Sequence, residues 1–154
     1  LSYIKIPMEQ LPVREYPEEH PLSSVMHTIQ TLSKKNIVNF TGISNTQLKL
    51  DYGTANLETL SEYDQNFTLL ARTLNRWGEL LLEEHLTEDA VSVLEYAVSC
   101  GSDVSATYLL LGRLYREQGD VGKISSLIQS AESLNSLSKS RIISSLTEML
   151  QNTY

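Results

Sequence analysis

The sequence predicts an all-α chain: a helix-turn-helix repeat array behind an irregular, partly extended N-terminal segment. Three observations predict it. First, one pattern is written twice at a constant offset, so that Gly78 pairs with Gly112, Leu81 with Tyr115, Leu94 with Ile128 and Ala97 with Ala131. A fixed period of about 34 residues, with helical spacing inside it, marks an array of helical hairpins. Second, apolar residues recur at three and four from Leu22 to Lys35 and again from Leu60 onward, the stripe of an amphipathic helix. Third, all four prolines lie at or before Pro21, which leaves the remainder free of the strongest helix breaker.

Pro7, Pro12, Pro17 and Pro21 restrict themselves and the residues before them to extended geometry. Residues 1–20 therefore read as a proline-rich extended segment, either a tether or a strand laid on the folded body through Ile6, Met8, Leu11, Val13 and Tyr16. Residues 21–58 read as an N-terminal helix with an irregular cap. The helix carries Leu22, Val25, Met26, Ile29 and Leu32 on one face, between Pro21 and the run Lys34, Lys35, Asn36. From Ile37 to Leu57 the pattern weakens: Ile37 to Phe40 suits a short extended run, Gly42 and Gly53 are turn positions, and Asn45 to Leu50 suits one helical turn. Asn39-Phe40-Thr41 and Asn66-Phe67-Thr68 match the glycosylation acceptor pattern, which is common by chance; the second falls inside a helix.

Residues 59–154 carry the array and its cap. A capping box at Thr59 and Glu62 opens the longest helix, expected from Leu60 to Glu84. His85 and Leu86 turn the chain, and Thr87 is the expected cap of a helix with Glu88 and Asp89 in its first turn, where the dipole favours acids. Gly101 ends that helix, and Asn135, one period on, is expected to end its counterpart, since both residue types accept the left-handed conformation. Between them run a helix from Asp103 to Gln118, a turn at Gly119, a cap at Asp120 and a helix bearing Ile124, Leu127, Ile128 and Ala131. A last helix from about Ser138 to Gln151, with Ile142, Ile143, Leu146, Met149 and Leu150, reads as a terminal cap over the apolar face that an array leaves open.

Composition narrows the function. The 154 residues are enough for one domain, 41% are apolar, and no apolar run reaches the ~18 residues of a spanning helix. Twelve Lys and Arg against nineteen Asp and Glu give a net charge of -7, which opposes a broad phosphate-binding surface and hence nucleic acid as a partner. Cys100 is the single cysteine and reads as a small apolar filler, not a nucleophile. His20, His27 and His85 are widely spaced, Glu83 and Glu84 point to different helix faces, and there is no glycine-rich phosphate loop. No residue is assigned to catalysis, a cofactor or a metal. The chain opens on Leu1 and not Met, from which we expect a soluble piece of a longer or processed protein, either cytoplasmic or tethered at a membrane through a segment upstream of Leu1.

The two units resemble tetratricopeptide repeats, whose signature is W-x2-L-G-x2-Y, then A-x3-F, then P. The unit 71–104 reads Leu74-x2-Trp77-Gly78-x2-Leu81, then Ala90-x3-Leu94 and Ala97; the unit 105–138 reads Tyr108-x2-Leu111-Gly112-x2-Tyr115, then Ile124-x3-Ile128 and Ala131. Ile124 stands where alanine is usual, and Ser102 and Ser136 where proline is usual. The preceding stretch of one period does not fit, with Ser44 and Tyr63 at the glycine and alanine positions, so non-repetitive chain must cap the first unit. The resemblance implies a right-handed superhelix in which Gly78 faces Ala90 and Gly112 faces Ile124, and a concave groove that holds an extended peptide or a helix. Its groove positions here are Arg72, Asn75, Glu79, Leu82 and Glu83 from the first unit, and Ala106, Leu109, Arg113, Arg116 and Glu117 from the second. Leu82 and Leu109 lie outside the core stripe and need an apolar cover. The groove holds no lysine, which argues against capture of a terminal carboxylate, whereas Arg72, Arg113 and Arg116 suit acidic side chains. The expected function is a non-catalytic protein-interaction scaffold, monomeric, with a protein or peptide partner. The alternatives are an architectural domain packing on another domain or its own copy and, less favoured, a regulatory domain of an enzyme.

Overall fold

The first apolar stripe folds as α1, Pro21–Leu32, in a computed structural model that describes residues 1–152. The elements that follow are α2 (Asn45–Tyr52), a 3-10 turn (Thr54–Asn56), α3 (Leu57–Glu83), α4 (Thr87–Ser99), α5 (Ser105–Glu117), α6 (Val121–Glu132) and α7 (Lys139–Gln151). The protein is all-α, with no strand among the described residues. Two compact units divide the chain, the first Leu1–Thr73 and the second from Leu74 on, and α3 contributes residues to each.

In the first unit the N-terminal segment is docked. Ile6 and Leu11 are each only 9% exposed, and the Ile4 N–H donates to the Ile37 carbonyl at 2.8 Å. Pro7 opens a turn whose carbonyl accepts from Gln10 and Leu11 at 2.9 and 3.2 Å, so the prolines bend this segment as well as extending it. Pro21 occupies the first turn of α1, and His20 caps it by accepting the Leu22 N–H on Nδ1 at 3.0 Å. All five residues of the stripe are buried. The helix stops at Leu32, short of the expected Lys35.

Around Val38, Phe40, Leu48 and Leu60 a small core forms, with Leu57 and Tyr63 packed on it. Ser44 caps α2 through a bond from the Gln47 N–H at 3.1 Å, and Gly53, at φ 85°, ends it. This is a full helix where one turn is expected. Leu57, not Leu60, opens α3, so Thr59 sits inside the first turn; the preceding 3-10 turn already winds the chain. Asn66 is buried within α3 and donates to the Asn36 carbonyl at 2.9 Å. The acceptor pattern there is structural.

In the second unit the sequence period becomes a backbone period. α4 and α6 begin at Thr87 and Val121; α5 and α7 begin at Ser105 and Lys139 and end at Glu117 and Gln151. Each of these pairs is separated by the same offset that separates Gly78 from Gly112. His85 (φ 62°) and Gly119 (φ 72°) are left-handed and close the helices before them with the same double bond pattern. Leu86 donates to Leu81 and Asp120 to Tyr115, each at 2.9 Å, while His85 donates to Leu82 and Gly119 to Arg116 at 2.9 and 3.0 Å. These are Schellman closures. The turns before α5 and α7 also match, because Ser102 Oγ accepts the Val104 N–H and Ser136 Oγ the Ser138 N–H, both at 3.2 Å.

The copy is imperfect at three places. Gly101 is left-handed at φ 79°, but Asn135 is not, since α6 already ends at Glu132 with Ser133 as its cap. Leu86 caps α4 and Thr87 is its first residue, whereas Asp120 caps α6 as expected through the Lys123 N–H at 3.0 Å. The small residues also meet other partners. A Cβ on Gly78 would lie 2.5 Å from Leu94 Cδ2, and one on Gly112 would lie 2.8 Å from Leu146 Cδ2 and 3.0 Å from Met149 Sδ. The nearest approach to Gly78 is thus the Leu94 side chain of α4, while Gly112 admits α7 and not Ile124. α7 packs on both α5 and α6. It buries Ile142 and Leu146 and turns Ser140, Arg141, Ser144, Glu148 and Gln151 to solvent.

Candidate functional site

The groove positions fall into three kinds. Arg72 lies in the first unit and is exposed. Of the residues in the second unit, Glu79, Glu83, Ala106, Arg113, Arg116 and Glu117 are exposed or half-buried at the surface, Leu82 and Leu109 are half-buried, and Asn75 is buried at 9% exposure. A polar network explains Asn75: its Nδ2 donates to Glu79 Oε1 at 2.6 Å, and its Oδ1 accepts from the fully buried Thr107 hydroxyl at 2.8 Å. Its amide joins the second-unit part of α3 to α5 and is spent internally. Leu82 packs against the core of the second unit, which is built around Leu94, Tyr108, Leu111 and Ile124, so its own fold supplies part of the cover it needs. What α5 presents outward is a row of Ala106, Arg113, Arg116 and Glu117, with Leu109 at its edge.

A second concavity is not evident in the sequence. Between α4, α5 and α6 lies a cleft of about 270 Å³, with Val98, Leu111 and Leu127 as apolar lining and Glu95, Tyr115 and Lys123 as polar lining. The Tyr115 hydroxyl donates to Glu95 Oε2, and Lys123 Nζ stands 5.5 Å from the centre of the Tyr115 ring. Burial, the hydrogen bond to Glu95 and the charges of Glu95 and Asp120 push the Tyr115 phenol far up, so it serves as a neutral donor at physiological pH. Sequence periodicity marks Tyr115 as core and carries no sign that Glu95 and Lys123 reach it from two other helices.

Burial also perturbs Cys100 and Tyr108. Burial raises the Cys100 thiol, with hydrogen bonds from Tyr96 and Ser99 pulling partly the other way; a protonated thiol is a poor nucleophile. Tyr108 is pushed up to about 12 by burial and by the Asp103 charge, and its hydroxyl donates to the Ser102 carbonyl at 2.7 Å. Among the described residues no cluster of three or more His, Cys, Asp or Glu is placed to hold a metal ion. No helix among them is long and apolar enough to cross a membrane. Comparison of the chain with protein-family models, with curated proteins and with solved structures finds no match.

Proposed function

We propose that this protein is a non-catalytic interaction scaffold of tetratricopeptide type, whose helices form that family's right-handed superhelix and hold a peptide or helix of a partner protein. One observation carries the reading: the second unit repeats the starts of its helices, its Schellman closures at His85 and Gly119 and its serine turns at Ser102 and Ser136 at one and the same offset. Repeats of this kind present the exposed face of successive first helices as a binding surface. On α5 that face is Ala106, Leu109, Arg113, Arg116 and Glu117, and on the second-unit part of α3 it is Glu79, Leu82 and Glu83. Arg113 and Arg116, one helical step apart and exposed, favour a ligand with acidic side chains beside a small apolar anchor for Leu109.

The test is selection of peptides from a random library on the parent protein, followed by binding to an Arg113→Glu, Arg116→Glu variant. Both side chains are exposed, so the variant keeps its fold, verified by circular dichroism. Selected peptides rich in Asp and Glu that bind the parent and lose at least about tenfold in affinity for the variant support the reading, since each charged contact contributes about 1.5–3 kcal/mol. Peptides that bind both proteins equally place the ligand elsewhere. A second, architectural reading has one observation in its favour: Ile43, Leu50 and Tyr52, in and beside α2, are 46%, 76% and 40% exposed. Concentration-dependent mass in solution that is abolished by Leu50→Asp would support that reading.

A further inference from the structure

The cleft of about 270 Å³ between α4, α5 and α6 carries charge of both signs over an apolar floor. Leu111 and Leu127, 1% and 4% exposed, form that floor with the half-buried Val98 beside them. On α5, Leu111 and Tyr115 are buried whereas Arg113 and Arg116 are exposed, so the cleft lies on another side of the helix from the face proposed to hold a peptide. Glu95 and Lys123 flank one aromatic side chain: the Tyr115 hydroxyl donates to Glu95 Oε2, and Lys123 Nζ stands 5.5 Å from the centre of the ring. Among the described residues no ion pair joins these two charges to each other. The hydroxyls of Ser99, Ser126 and Ser130 are spent as donors on backbone carbonyls of their own helices, at 2.6, 3.1 and 3.2 Å.

We infer that this cleft binds a small zwitterion with an aliphatic body, of the class of the leucine-sized α-amino acids. A few charged groups converging on an apolar concavity are the usual make-up of a small-molecule site, and the volume is at the small end of such sites. The ligand's ammonium meets the Glu95 carboxylate, its carboxylate meets the Lys123 ammonium, and its side chain covers Val98, Leu111 and Leu127. A carboxylate accepts at both oxygens, so the bond from Tyr115 to Oε2 orients Glu95 without exhausting it. A simple anion would be repelled by Glu95 and a simple cation by Lys123, whereas a zwitterion is attracted by both. Such a molecule has no net charge, so general attraction to a chain of net charge -7 does not produce its binding.

The experiment is an amide NMR titration of the full chain with L-leucine near neutral pH. Parallel titrations use isocaproate and isoamylamine, which keep the aliphatic body but lack the ammonium and the carboxylate respectively. The expected result is saturable shifts with leucine, centred on residues 95–99, 111–115 and 123–130, and binding of either half-ligand weaker by about tenfold or more. Glu95→Gln and Lys123→Gln are each expected to weaken leucine by about tenfold or more. Both residues are exposed, and glutamine at Glu95 still offers an acceptor to the Tyr115 hydroxyl, so the fold is kept and is verified by circular dichroism. Shifts that do not saturate or that centre on other residues, a half-ligand that binds as well as leucine, or leucine binding that survives either glutamine change would each overturn the inference.

Discussion

Substituting Gly78 by alanine puts the close approach of α3 and α4 to a quantitative test. The added Cβ would stand 2.5 Å from Leu94 Cδ2, 2.7 Å from Cγ and 3.2 Å from Cδ1. Contact at the branch carbon as well as at a methyl means that no single rotation of Leu94 relieves it, and Leu94 is fully buried with nowhere to swing. Overpacking of this kind costs about 1–3 kcal/mol, against which alanine returns about 1 kcal/mol of helix propensity. We expect Gly78→Ala to destabilise by up to about 2 kcal/mol net, read by chemical denaturation as a lower midpoint at unchanged slope. Gly122→Ala is the control. It lies in α6, and the nearest atom to its added Cβ is Asp120 Oδ1 at 3.6 Å, so it should stabilise by a few tenths of a kcal/mol up to about 1. Leu94→Ala should cost less in the Gly78→Ala background than alone, with a coupling of about 1 kcal/mol or more. If Gly78→Ala stabilises like Gly122→Ala, or the two changes are additive, the inter-helix contact at Gly78 is wrong.

Two further outcomes follow from buried polar groups. Thr107→Val keeps the shape but leaves Asn75 Oδ1 without its hydroxyl donor, so it should cost about 1–3 kcal/mol, while Asn75→Leu combined with Thr107→Val should recover part of that loss; equal effects for the single and double variants would refute the network. Asp64 is held above the ordinary carboxylate value of 3.8, first by burial and with the Phe40 N–H pulling it back. A raised acid disfavours the folded state once it ionises, so stability associated with Asp64 falls as pH rises from 3.8 through its folded value. Asp64→Asn should therefore raise the melting temperature at neutral pH, and this advantage should shrink on acidification through that window. An advantage that grows on acidification would contradict the assignment.

How much of the molecule is legible beforehand depends on whether the signal is local or relational. The stripe of α1 and the approximate bounds of α5 and α7 are carried by spacing along one helix, where burial of one face imposes a regular pattern, and the repeat period is carried by the recurrence of that pattern. Thr59 and Thr87 do not cap their helices, because a hydroxyl that suits a cap also suits the first turn, and a 3-10 turn or Leu86 takes the cap position instead. Asn135 shares the chemistry of a helix stop with Gly101, yet α6 ends before reaching it. The partners of Gly78 and Gly112 are not legible, because a small residue announces a close approach without naming which neighbour approaches. The same holds at the candidate sites. Exposure of Arg113 and Arg116 follows from the α5 stripe, whereas the burial of Asn75 by Thr107 and the Glu95–Tyr115–Lys123 cluster depend on residues brought together from separate elements.

The binding face proposed for the second unit requires that its hairpins be copies of one backbone unit, and the closures at His85 and Gly119 express that most sharply. His85 adopts φ 62° with a side chain that makes this conformation costly, while Gly119 adopts φ 72° with nothing within 4 Å of the site where a Cβ would stand. A left-handed L-residue costs about 1–2 kcal/mol, less the ~0.5–1 kcal/mol by which glycine stabilises the unfolded chain. The decisive measurement is therefore the unfolding free energy of His85→Gly beside that of Gly119→His. The repeat predicts opposite signs and similar size, a gain of about 0.5–1 kcal/mol for the first and an equal loss for the second. Destabilisation by both, or no response at either, would show that the two turns are not the same structure and would remove the basis for the repeat.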